Sequence, residues 1–290
     1  MDFSSASIEK STSLLEGASA PSFSLSHGIN NDDLPKAERK VLSGASYRDL
    51  STVIAIPSPT EFIHHRVEGA LSALMRPMNQ RTAGPFRLAC KQPLSLIQAE
   101  GFEVADAYNS VLREIEKSPD MSKWKFFLTV EHDNLPPPDG LIALQRAMYD
   151  NAELDAKGRL LYDEKGLPMF HFLGIGGLYW VKGEGGAPMI YGNPKEPRNF
   201  NPQPPVPGAL QECHGIAMGF SIFSLQHLLL DKRLRDPWFE SRSSWDPARG
   251  ISAGTQDLIF CGKARDLGYR FAVDNRVKVG HLDFATGMVW

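Results

Sequence analysis

The chain has 290 residues, of which 42% are hydrophobic and 22% charged, ordinary soluble usage that gives collagen-like, coiled-coil and wholly disordered readings no support. That length is enough for one large α/β domain or two small ones with a real core. A formal net charge of -3 argues against a generic electrostatic nucleic-acid binder, which carries a basic excess, and leaves local basic grooves open.

Cys90, Cys213 and Cys261 are widely spaced and form no C-x-x-C, so neither a disulfide framework nor a cysteine zinc site is expected, and the compartment reads as reducing. MDFSSASIEKSTSLLEG lacks a basic region followed by a continuous apolar stretch, and no run of about eighteen apolar residues occurs. The expectation is a cytoplasmic protein without a membrane span.

Residues 1–50, rich in Ser, Asn and Asp, read as a tail or helical arm, and 51–290 as one domain. STVIAIP predicts a strand ended by Pro57, followed by a helix with Val67, Leu71, Leu74 and Met75 on one face. FRLAC (86–90) predicts a second strand, then a helix from about Val104 carries Tyr108, Leu112 and Ile115 at helical spacing and stops at Pro119. KWKFFLTV is a buried-type strand, EHDNLPPPDG a polar turn, and LIALQRAM a helix with Leu141, Leu144 and Met148 along one stripe. FHFLGIGGLYWV predicts a strand whose glycines permit close packing, and 182–210 a Gly/Pro-rich excursion of the kind used as a lid. GIAMGFSIF leads into a helix through Leu225, Leu228 and Leu229, with Trp238 and Trp245 in a following loop. Thr255-Gln256-Asp257 opens a helix closed by Gly268, and YRFAVD and VKVGH supply the last strands. Strand-helix alternation in the first half and a less regular second half predict a single α/β domain of mixed sheet.

Four places could carry chemistry. Glu131-His132-Asp133-Asn134 stands at a strand's C-terminal end, the edge where open α/β sheets bind ligands; hard oxygen donors there suit Mg²⁺ or Mn²⁺ on a diphosphate, and a solvated acidic turn fits the tetrapeptide equally. His281, at the end of the last apolar strand, is either a third-side metal ligand or a structural hydrogen-bonding residue. Asp257 enters a helix, where the dipole would keep it ionised, as a helix cap or a general base. Gly250-Ile251-Ser252-Ala253-Gly254 matches G-x-S-x-G, with Asp274 and His281 in hydrolase order. WDPAR stands where the nucleophile elbow needs an apolar strand, so a serine hydrolase using Ser252 is a remote alternative.

The order of these segments resembles the nucleotide-sugar glycosyltransferases of the GT-A fold, in particular the family 2-like group found in bacteria and tailed phages. IAIPSPTEFIHHRV is similar to the first strand and nucleotide-binding loop, Ala107-Tyr108-Asn109 to an Ala-Arg-Asn signature, and KFFLTVEHDNLPPPDGL to the strand and acidic metal motif. GGLYW with CHGIAMGFSIF is similar to the core strand and acceptor-side segment, and TQDLIFCGKARDLGYRFAVDNRVKVGHLD to the C-terminal signature, with Gln256 in place of a glutamate. The resemblance implies a GT-A-like Rossmann-type sandwich, a mixed central sheet flanked by helices, with its nucleotide-binding half at about 51–150 and its acceptor half at about 151–290.

It implies an inverting transferase moving a sugar from a UDP- or GDP-linked donor to an acceptor hydroxyl, with Mn²⁺ or Mg²⁺. Asp257 would be the base, Asp133 and His281 the metal ligands, and Pro57, Ser58, Thr60, Asn109, Glu131 and Asp133 the donor contacts. Trp180, His214, Gly215 and Trp238 would line the acceptor side. Phage relatives make a hydroxymethylated base in DNA one acceptor, in the host cytoplasm if the chain is viral, with Arg66, Arg76, Arg81, Arg87 and Lys91 as local positive charge. A polysaccharide, protein or small-molecule acceptor is the alternative, as is a catalytically degenerate module that only binds a nucleotide sugar.

Overall fold

The structure, a computed structural model, describes residues 48–57, 63–77, 82–83, 104–246 and 250–290. The expected arm (up to residue 47), the FRLAC strand, Ser58, Thr60, Arg81, Arg87 and Lys91 lie outside the described residues.

In chain order the elements are β1 (Thr52–Ala55), α1 (His65–Ala73), β2 (Thr82–Ala83), α2 (Val104–Lys117), β3 (Phe126–Val130), β4 (Asn134–Leu135) and α3 (Gly140–Asp150). There follow β5 (Gly174–Leu178), β6 (Ile190–Tyr191), β7 (Leu210–Cys213), β8 (Gly215–Ile216), β9 (Phe220–Ser224) and α4 (Leu225–Leu230). The last are β10 (Arg242–Asp246), β11 (Gly250–Gly254), α5 (Gln256–Asp266), β12 (Phe271–Lys278) and β13 (Gly280–His281).

Seven strands form a mixed sheet in the order β2-β1-β3-β9-β5-β12-β7. β1 pairs parallel with β2 and β3, β9 runs antiparallel to β3 and β5, and β12 is parallel to β5 and antiparallel to β7. Strands β1, β2, β3, β5 and β12 therefore point one way, and β9 and β7 the other. Every residue of β1, β3, β5 and β9 is buried, as expected for strands covered on both faces. The glycines of β5 answer to packing. A Cβ on Gly177 would stand 2.8 Å from a methyl of Val279, so that strand admits no side chain there.

The helical stripes largely meet their expectations. Tyr108, Leu112 and Ile115 of α2 are buried, as are Leu141, Leu144 and Met148 of α3, and Val67 and Leu71 of α1. Helix α1 ends at Ala73, with Leu74 as its C-cap, so the periodicity does not carry to Met75, which is 48% exposed instead of facing the core. Trp245 lies in β10, paired with β11, not in a loop. The last strands also differ: residues 271–278 form one strand, β12, whose register against β5 shifts between Asp274 and Lys278.

His227, buried in α4, has Nδ1 2.8 Å from Ser224 Oγ. Burial pushes its pKa from 6.5 down to about 4, against the opposing charges of Asp163 and Asp231. Between those two values the unfolded chain binds a proton that the folded chain refuses, so stability falls as pH drops through that window. Urea unfolding at pH 7 and pH 4.5 should show the wild type losing about 2 kcal/mol more than His227→Gln, which cannot titrate. Equal losses in the two proteins would contradict the assignment.

Candidate active site

Four strands of one direction end at the same edge of the sheet, and the residues just past those ends meet there. Pro57 follows β1, Glu131 and Asp133 follow β3, Lys182 lies four residues past β5, and His281 follows β12 through β13. The turn after β3 is tied down by its backbone, with Glu131 N–H donating to Gly219 O (3.0 Å) and Leu282 N–H donating to Asp133 O (2.8 Å). Strand β13 pairs antiparallel with β4, setting His281 opposite Asn134. His281 and Trp290 exchange both backbone hydrogen bonds at 3.0 Å, so the last strand is held from its other side as well.

The imidazole is oriented by its second nitrogen. His281 Nδ1 donates to Trp180 O at 2.7 Å, which leaves Nε2 facing Asp133, 3.4 Å from Oδ2. The same carboxylate oxygen is ion-paired with Lys182 Nζ. Burial would raise the Asp133 pKa, but hydrogen bonds to His281 and Lys182 and the nearby positive charge outweigh it and hold the carboxyl well below the usual range. Glu131, two residues away, goes the opposite way: burial, then the charges of Asp133 and Asp257, push it up to about 8 against the pull of Lys182. At neutral pH Glu131 therefore carries a proton and can donate a hydrogen bond, whereas Asp133 stays an anion.

Asp257 is the second residue of α5, whose N-cap is Thr255, so it is not the helix cap. Its Oδ1 accepts from the backbone N–H of Leu258 at 2.9 Å. Burial raises its pKa against the hydrogen bonds from Thr255 and Leu258. Asp257 also contributes to the upward shift of Glu131, so the two carboxyl groups share one electrostatic site.

The donor set fits a divalent cation on two protein ligands. One carboxylate oxygen and one imidazole nitrogen face each other, and the imidazole is held from behind, the usual arrangement of a metal-binding histidine. Among the described residues no group of three His, Cys, Asp or Glu side chains converges, so further ligands would have to be substrate oxygens and water. Asn134, fully buried beside them, has no hydrogen-bond partner for either end of its amide among the described residues, an orphan that a bound polar group would satisfy.

Other expected site residues are placed elsewhere. Asn109, expected at the donor, spends both ends of its amide on the backbone of Phe239, donating to O at 2.7 Å and accepting from N–H at 3.0 Å, and is buried. Tyr108 packs against Phe127 and Phe239 in the core. Trp238, expected on the acceptor side, is buried with its indole N–H donating to Leu228 O at 2.6 Å. His214 is likewise buried, its Nδ1 3.1 Å from the backbone N and O of Asn199, and Gly215 lies under the ring of Phe200. Trp180 is partly buried at the site and serves it through its carbonyl. Arg66 donates to Gly287 O at 2.8 Å, and Arg76 is exposed. Ser252 sits mid-strand in β11, opposite Ser244 of β10, and Asp274 is held by Arg276 at 2.7 and 2.8 Å, so no strand-to-helix elbow supports the hydrolase alternative.

Lys182 is the site residue that sequence reasoning missed. Its only signal is a lone lysine just past the end of a core strand, in VKGEGG. The expected excursion 182–210 begins as a hairpin, with Val181 N–H donating to Ala187 O and Met189 N–H to Tyr179 O, both at 2.9 Å. It is then stitched by the β6–β8 ladder and the Arg198–Asp266 ion pair.

No family model matches the chain, and no curated protein matches it. Among solved structures, the crystal structure of A197 from STIV is similar at 13% identity and a TM-score of 0.48, with 80% of this chain and 86% of that chain covered. None of the described helices is long and apolar enough to cross a membrane.

Proposed function

We propose that the protein is a GT-A-type glycosyltransferase that moves a sugar from a nucleotide-sugar donor to an acceptor hydroxyl. The observation that carries this reading is the meeting of Asp133, His281 and Lys182 at one sheet edge. Asp133 and His281 would hold a divalent cation, which supplies positive charge against the negative charge of the departing diphosphate. The residues of the chain do the rest. Asp257, with its pKa raised by burial, takes the proton of the acceptor hydroxyl. The hydroxyl oxygen forms its bond to the anomeric carbon as the carbon–phosphate-oxygen bond breaks, and that electron pair leaves with the nucleoside diphosphate. Attack from the face opposite the leaving group inverts the anomeric centre. Glu131, beside Asp133, would hydrogen-bond the ribose of the donor. The first acceptor to test is a hydroxymethylated base in DNA, which has to be flipped out of the stack to be reached.

The test is release of nucleoside diphosphate from a panel of UDP- and GDP-sugars with Mn²⁺, with and without EDTA, in the presence of DNA containing hydroxymethylcytosine and of simple sugar acceptors. Release that EDTA abolishes is the expected result. A nucleotide sugar that binds calorimetrically and is never turned over with any acceptor would make the protein a binding module instead.

A further inference from the structure

Lys182 and the cation that Asp133 would hold compete for one carboxylate oxygen. Asp133 Oδ2 already takes the ammonium of Lys182 and faces Nε2 of His281, and a divalent cation between Asp133 and His281 would need the place of that ammonium. The lysine is equipped to leave. It stands at the tip of the 179–189 hairpin, next to Gly183, whose φ of +105° suits a residue without a side chain, and its side chain is about one-third exposed (31%). Its ammonium also lies 5.6 Å from the ring centroid of Phe284, a second seat beside the site.

Resting on the nucleotide-sugar reading, we propose that Lys182 is a diphosphate-binding residue parked on Asp133 until a divalent cation displaces it. Held on the carboxylate, the ammonium balances the charge of Asp133. Released, it is a three-donor cation at the edge of the site where a diphosphate would leave, able to form charge-assisted bonds to phosphate oxygens. A divalent cation brings one more positive charge to the carboxylate than the ammonium it displaces, and both cations then face the diphosphate.

This assigns Lys182 opposite effects on two ligands, which a merely structural residue would not have. Mn²⁺ binding alone, followed by loss of the free-ion electron paramagnetic signal, should be about tenfold tighter in Lys182→Met than in the wild type, because nothing has to be displaced. UDP or GDP binding at saturating Mn²⁺ should be about tenfold weaker in the same variant, because the freed ammonium is gone. Lys182→Arg, which keeps the charge, should bind Mn²⁺ no tighter than the wild type. Should Lys182→Met fail to melt cooperatively, the neutral Lys182→Gln is read in its place. Mn²⁺ affinity equal to or weaker than wild type in the neutral variant overturns the parked ammonium, as does absence of Mn²⁺ binding in both proteins. Failure of both nucleotides to bind the wild type, with the Mn²⁺ difference intact, overturns the nucleotide reading and the diphosphate role while upholding the competition for Asp133.

Discussion

Asp257→Asn is expected to lower sugar transfer about a thousandfold while leaving donor binding within a factor of three. The substitution keeps size and an oxygen that can accept from Leu258 N–H, so α5 should keep its first turn. If Asp257 is the proposed base, the loss should fall on kcat with little change in KM for the donor. The pH profile carries the same signature. Because burial raises Asp257, the acid limb of the wild-type rate should lie above the ordinary aspartate value of 3.8, with activity rising as pH rises through it. Transfer by the variant within threefold of wild type, or a product retaining the donor's anomeric configuration, would remove Asp257 from the base role.

Asp133→Ala should abolish both turnover and Mn²⁺ binding, a loss of at least about a thousandfold in rate. The fold should survive, because the backbone carbonyl of Asp133, which accepts from Leu282 N–H, is untouched by the change. Loss of the neighbouring negative charge should also let the Glu131 pKa fall from about 8 toward the ordinary range, since Asp133 is the largest charge holding it up. Carbon-13 shifts of the Glu131 carboxyl followed against pH would report this independently of activity. A variant that binds Mn²⁺ like wild type would move the metal site away from this edge.

How much of this was legible depended on how local each signal is. EHDN after an apolar strand, and His281 after another, were readable because a strand's end is visible in the chain and the ends of codirectional strands share an edge. Their mutual approach was not, because the β4–β13 ladder joining them spans residues far apart in the chain. Asn109 was misassigned for a related reason. Nothing near it in sequence announces that the backbone of Phe239 will take both ends of its amide. Lys182 was passed over since one lysine beside glycines is indistinguishable from a solvated surface residue until Asp133 is found against it. Asp257 was readable as an acid at a helix start, but its burial, which raises its pKa, depends on elements distant in the chain.

The order of strands in the sheet also sets when the site can exist. β12 follows the other six strands of the sheet in the chain, inserts between β5 and β7, and His281 emerges only after it. A nascent chain that has already exposed Glu131, Asp133 and Lys182 to the cell thus has its acids and their resident ammonium in hand without the imidazole. No nascent chain that stops short of residue 281 can hold the complete constellation, and the edge of β5 awaits its partner until β12 has emerged. Competence arrives only with His281.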